Sequence, residues 1–301
     1  MGAERAGREE GAVLLILGVL IVTASVVGGF LIEGGHLLVL NQPAEFIIIG
    51  GAAAGSLLIG TPPRVVKQLL AQGAGLFRSP TGKAEYMDLL SMLYQLFKIS
   101  QQSGVMALEP HFEAPEKSPL FVRYPKFLAR HHAVDFLADS VKIIIVGGIT
   151  PHDLETLMEQ DLDVQHHSAA RPASTLTKIA DALPGLGIVA AVLGVVNTMG
   201  AIDGPPAEIG HKVGAALVGT FLGILMSYGF TQPLAANLEQ RVQDEGVYEQ
   251  CIKSGLVAVY KGFPPAIAIE FARRVLPESV RPSFDETERI CKAAKPEAAA
   301  A

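Results

Sequence analysis

The side chains best suited to moving a proton lie in two apolar runs in the second half of the chain. Asn197 and Thr198 sit near one end of the first run, and Thr220, Ser227 and Tyr228 lie in the second. Acidic residues bound these runs at Asp181, Asp203 and Glu208 without entering them. Hydroxyls and amides can relay a proton, but a path through hydrocarbon also needs a group that holds one. Neither run offers such a group at depth, so a proton pathway here requires a carboxylate donated by a partner.

The same runs are rich in small residues. Ala190 and Gly194 in one, and Gly219 and Gly223 in the other, stand four apart. That spacing puts each pair on one helix face, where backbones can approach closely. Two occupants fit such faces. One is the neighbouring run of the same chain, and the other is a helix of another protein, around which the faces form a sleeve.

Other chemistries are poorly supported. No GxxxxGK[ST] loop is present to cradle a nucleotide. His131–His132 and His166–His167 have no Cys or carboxylate at metal-ligand spacing. No nucleophile elbow stands out. Cys251 and Cys291 form no CxxC motif, so neither a disulfide framework nor an oxidising compartment is indicated. The formal net charge of −6 gives no reason to expect nucleic acid as a partner. The expectation is a non-enzymatic protein without cofactor or metal.

The elements that must position these groups are membrane spans. Hydrophobic residues make up 50% of the chain and charged ones 18%, with a mean hydropathy of +0.36, too apolar for an ordinary soluble domain. Residues 12–32 carry no charge, and at about 1.5 Å per residue they reach about 31 Å, enough to cross hydrocarbon. Residues 46–59 form a shorter run, with a helix start near Pro43, where a proline suits the first turn. A third span is expected to start at Pro184 and run to about residue 202. The fourth is residues 213–230, ending before Pro233. The resulting fold class is all-α, a polytopic membrane protein with four spans and a large helical cytoplasmic domain. Its segments are 1–60, 61–178, 179–232 and 233–301.

Lys and Arg placement orients the spans. The turns at 33–45 and 201–211 have neither, whereas Arg64, Lys67, Arg78 and Lys83 follow the second span. Both short turns are therefore expected outside, and the large block and both termini in the cytoplasm. Within the block, residues 84–102 put Met87, Leu90, Leu93, Tyr94 and Phe97 on one helical face. Residues 134–149 are more apolar but are broken by Asp135, Asp139 and Lys142, as suits a buried packing helix rather than a span. The acidic stretch 151–163 reads as a solvated helix face.

Several motifs, in this order, resemble the flagellar stator MotA family. They are QPAE at 42–45, YMDLL at 86–90, ALPGLGIVAAVLGVV at 182–196, VGTFLGIL at 218–225, YGF at 228–230, PP at 264–265 and RPSF at 281–284. The similarity covers nearly the whole chain after the first ten residues. It implies a multi-pass protein of the bacterial inner membrane that assembles in a ring of five. The ring would surround a dimer of a MotB-like, single-span, peptidoglycan-binding partner whose aspartate carries the proton. The ring would then turn the rotor protein FliG. Carried over by residue, the resemblance gives Pro184, Ala191, Thr220 and Pro233 roles in the ion pathway and torque coupling. Sodium-driven relatives carry Thr where this chain has Ala191, which favours protons. Rotor contact falls on Gln101 and Glu109, although the family has a basic residue where Gln101 stands, and Lys98, one turn back, is a candidate substitute. The alternative is an energiser of outer-membrane processes of the TolQ/ExbB kind. Those relatives have three spans, so four spans count against it.

Overall fold

The structure is a computed structural model. It describes the backbone of residues 2–76, 81–200 and 202–293, and side chains from residue 13 onward within those ranges. Arg78 and the Ala-rich end 298–301 lie outside the described residues. Among the described residues every regular element is helical. Contacts divide the chain into two units, one comprising residues 1–80 and 169–241, the other residues 81–168 and 242–301.

In the first unit, α1 (Gly2–Ile32) is followed by a four-residue turn of helix, α2 (Leu37–Leu40), and by α3 (Pro43–Gly60), which has Pro at its start as expected. The 18 residues of α3 rise about 27 Å, so the second span is short but sufficient. Helix α4 (Pro63–Gly75) closes this half. The third span belongs to α9 (Pro151–Met199), which is 49 residues long and passes into this unit from the other. The fourth comprises α10 (Pro206–Ile224) and a π-helical segment, Leu225–Thr231, which runs on without a break into α11 (Gln232–Tyr260). Four helices are thus long and apolar enough to cross a membrane.

Two of the expected boundaries are corrected here. Pro184 does not start a helix but lies inside α9, together with Pro172. Pro233 does not stop one, because it is the second residue of α11. A proline inside a helix lacks the N–H for the carbonyl four residues back, and its ring crowds that carbonyl. The wider π turn just before Pro233 gives the ring room, the usual way such a helix accommodates the insult.

The second unit packs as a water-soluble domain does. Helix α5 (Lys83–Ser103) buries Leu90, Leu93 and Phe97, as its periodicity predicts, along with Tyr86, Leu89, Met92 and Leu96. Gly104, at φ 82°, reverses the chain after it in a conformation that favours glycine. Short turns at α6 (Glu109–Glu113) and α7 (Pro125–Leu128) bring Phe112, Phe121 and Phe127 together. Helix α8 (His131–Val146) buries Val134, Phe136, Leu137 and Val141, so it is the packing helix foreseen rather than a span. The acidic stretch opening α9 buries Leu154 and Met158 and turns Asp153, Glu159, Asp161 and Asp163 outward. Glu155 pairs with Lys261 at 2.7 Å and Glu159 with Lys253 at 3.5 Å. Helices α12 (Pro265–Val275) and α13 (Phe284–Ala293) pack on α5. Cys251 and Cys291 are both buried free thiols.

Candidate functional site

The polar and small residues singled out in the sequence converge where α9 and α10 meet. A Cβ added at Gly219 would stand 3.2 Å from the Ala190 Cβ and 3.2 Å from the Ala191 amide nitrogen. One at Gly223 would stand 2.6 Å from the Leu183 carbonyl oxygen and 2.9 Å from the Gly187 Cα. One at Gly194 would meet the Ala216 Cβ at 2.6 Å. No side chain larger than hydrogen fits at these points unless the backbones separate.

This decides between the two occupants left open for the small faces. Ala190, Gly194, Gly219 and Gly223 pack one span of this chain on the other, and do not line a sleeve for a foreign helix. The physical reason is contact distance. Each of the three glycines already has backbone or Cβ atoms of the opposite helix where its own Cβ would be, so no second helix can use the same surface. Gly187, absent from the pattern noted in the sequence, belongs to the seam as well.

The prolines are joined through this contact. Pro184 leaves the carbonyl of Ala180, four residues earlier, without its helical N–H. The Ser227 hydroxyl donates to that carbonyl at 2.6 Å, and both residues are fully buried. Ser227 lies in the π-helical segment that precedes Pro233. The distortion ahead of one proline therefore carries the group that repairs the bond broken by the other. Nearby, the Gln232 side-chain amide donates to Asp181 at 3.1 Å, and the Thr231 hydroxyl donates to the Met226 carbonyl at 2.7 Å. Pro184 is half-buried and Pro233 exposed.

Thr220 and Ala191 are both half-buried at the edge of the seam. Thr198, fully buried, donates to the Gly194 carbonyl at 2.8 Å, which leaves its hydroxyl occupied. Asn197 and Tyr228 are exposed. Gln101 and Glu109 are elsewhere, in the second unit. Gln101 is exposed in the last turn of α5 and Glu109 is exposed at the start of α6. Lys98 is half-buried, with its ammonium 5.2 Å from the centre of the Tyr94 ring.

Sequence reasoning missed one group in the seam. Glu45 is the first of three buried residues in α3, followed by Ile49 and Ala53. Its Oε2 lies 2.5 Å from where a Cβ on Gly219 would stand. Val213 opens the fourth span and Gly219 is six residues on, so the carboxyl packs roughly 9 Å inside that span. The chain thus does carry an acidic side chain within its spans, contrary to the reading from the third and fourth runs alone. The signal was available: positions 45, 49 and 53 share one helical face, and the carboxylate belongs to that face rather than to the turn before it.

A pair of spans closed by glycine, with a hydroxyl and a carboxyl at the seam, defines a helical membrane protein built around a close inter-helix contact. Residues 129–249 match the MotA/TolQ/ExbB proton channel family, and residues 16–104 match the family described as Motility protein A N-terminal. The chain belongs to the motility protein A members of the MotA/TolQ/ExbB proton channel family. Motility protein A of Escherichia coli (strain K12) is 43% identical over 94% of this chain and 96% of its own length. Chemotaxis protein LafT of Vibrio parahaemolyticus is 40% identical over 91% and 96%. The solved structure of C. jejuni MotAB superposes with a TM-score of 0.72 at 19% identity, covering 88% of this chain and 95% of that one. The flagellar MotAB stator complex from Bacillus subtilis gives 0.68 at 20%, covering 87% and 95%. At such identities the two structures speak to the fold alone.

Proposed function

We propose that this chain is a stator subunit of a bacterial flagellar motor, which couples proton flow across the inner membrane to torque. The observation that carries this reading is the glycine seam of α9 and α10, flanked by Thr220 and bounded by Pro184 and Pro233, in a member of a proton channel family. The named relatives are motility proteins, and the structural neighbours are MotAB complexes, which supports a MotB-like, single-span, peptidoglycan-binding partner. On this reading five copies form a ring around a dimer of that partner, with both termini in the cytoplasm. The partner supplies the main ion-carrying carboxylate. The exposed pair Gln101 and Glu109 faces the rotor protein FliG, and the chain performs no bond-making chemistry and needs no cofactor beyond the proton. Ala191 favours protons over sodium, since it offers no hydroxyl to a desolvated cation.

The test is proton flux in cells expressing this chain together with its partner. Thr220→Val keeps the volume and removes the hydroxyl, so it is expected to assemble normally and to lower flux. Flux is also expected to persist when sodium is replaced by potassium at constant proton motive force. Wild-type flux in the Val variant would remove Thr220 from the pathway, and flux that stopped without sodium would overturn the proton assignment. A TolQ/ExbB-like energiser would leave motility untouched when the gene is deleted.

A further inference from the structure

Glu45 is 7% exposed, and its Oε2 has no hydrogen-bond partner among the described residues. The oxygen is enclosed by this chain's own atoms, so a neighbouring subunit cannot reach it without moving α3 or α10. Below it on the same face of α3 come only Ile49 and Ala53, which pack with Leu183, Ala190 and Leu222. Across from it, α10 presents Gly219, and beside that Thr220. The charged groups of α10 are Glu208, His211 and Lys212, in its first two turns, and Lys212 is paired with Glu208 at 3.2 Å. In α9, Asp181 accepts from Gln232, and α2, which also packs on α10, contains only Leu and Val. No cation faces the carboxyl from any of these elements.

An ionised carboxylate in such a place, without donors or a counter-ion, costs several kcal/mol. A proton is the smallest partner that removes the charge, and the only one that fits the space. We propose that Glu45 is a proton-binding site of this chain, positioned beside Thr220 and loaded and unloaded as ions pass. This rests on the stator reading above. In uptake, hydronium gives a proton to Oε2, one O–H bond forms and water leaves. In release, that O–H bond breaks, the proton passes to a carboxylate of the partner, and Glu45 is left briefly as the anion. Because Oε2 is closed off at Gly219, both steps wait for α3 and α10 to separate. Proton exchange and displacement of the two helices are then one event, and this is how a carboxyl outside the partner's helix can couple to its motion.

The experiment uses the full chain assembled with its partner in lipid membranes. Infrared spectra of the parent should show the carbonyl stretch of a protonated carboxylic acid. That band should shift in deuterium oxide only over a long exchange, and should be absent from Glu45→Gln, which preserves shape. Proton flux in Glu45→Gln should drop by about tenfold or more, as expected when a relay group is lost, with Glu45→Asp between the two. Co-purification with the partner reports assembly. A parent spectrum without the band, a band unchanged in Glu45→Gln, or parent-like flux in an assembled Glu45→Gln would each overturn the proposal. The infrared arm needs no variant to fold. A parent that assembles but conducts nothing would sink the stator reading itself, whereas a conducting parent with an indifferent Glu45→Gln sinks only this site.

Discussion

The two units solve the same problem in opposite ways. In the unit of residues 81–168 and 242–301, bulky side chains are driven inside, with Tyr86, Phe97, Phe121 and Leu137 almost wholly buried in one continuous core. In the unit of residues 1–80 and 169–241, Leu14, Leu20, Ile47, Leu58, Val196 and Leu217 remain on the surface. Its buried clusters are small, one around Ile49, Ala53, Leu183 and Ala190, the other around Leu76, Ala173 and Leu238. None of the described side chains of α1 is buried. Water makes exposed apolar surface costly, so the first arrangement follows from the hydrophobic effect. Lipid removes that drive, and the helices there are held by close backbone approach at glycine and by a few interior hydrogen bonds. The same apolar residue therefore has a structural role in one unit and mainly a solvation role in the other.

The largest expected effect tests that contrast directly. Phe121→Ala should destabilise the second unit by about 3–5 kcal/mol, the usual result of emptying an aromatic site in a close-packed core. Leu20→Ala, at an exposed position on α1, should change stability by less than about 0.5 kcal/mol. Denaturant unfolding of the full chain in lipid nanodiscs measures both. Comparable losses in the two variants would abolish the distinction between the units.

A smaller effect is expected at the proline repair. Ser227→Ala leaves the Ala180 carbonyl buried without a donor, at a cost of about 1–3 kcal/mol. Ser227→Thr, which keeps the hydroxyl, should recover part of it. Hydrogen exchange at residues around Pro184 and in the π-helical segment should rise in the Ala variant and not elsewhere. Unchanged protection would mean that the 2.6 Å bond contributes nothing.

The smallest effect depends on pH and belongs to the second unit, at Glu249, in the part of α11 well past the fourth span. Burial, reinforced by the neighbouring carboxylates of Glu245 and Asp161, pushes this carboxyl up to about 7. The folded state therefore holds its proton over a range in which the unfolded chain has released it. Stability is complete below about pH 4.5 and is lost as pH rises towards 7. Glu249→Gln should leave the melting temperature unchanged at pH 4 and raise it at pH 8, by about 1–2 kcal/mol after allowance for solvent screening. A Gln variant with the parent's pH profile would refute this.

The spans were legible in the sequence because a membrane demands long apolar runs, and α5 and α8 because their cores repeat with the helical period. Pro184 and Pro233 misled for a definite reason. Proline is tolerated in a first turn and, at a cost, in an interior, and only the partner of the freed carbonyl distinguishes the two. That partner is Ser227, 47 residues away in sequence, beyond the reach of any local pattern. The small-residue spacing revealed that a close contact exists, but not with what. Whether Gly219 faces Ala190 or another chain depends on how the helices pair, which a one-dimensional spacing does not contain. Glu45 went unnoticed because it was grouped with the polar turn before it rather than with Ile49 and Ala53 after it.

The π-helical segment at Leu225–Thr231 also sets rotational phase. Each residue of an α-helix advances its side chain by about 100° around the axis, and a wider turn advances it less. Every position from Gln232 to Arg241 consequently points in a direction that counting along an unbroken helix would get wrong. Loss of a single residue between Leu225 and Thr231 could restore a regular helix and its hydrogen bonds. It would do so by swinging all that follows by roughly a quarter turn, carrying Leu234 and Leu238 off the cluster they share with Leu76 and Ala173.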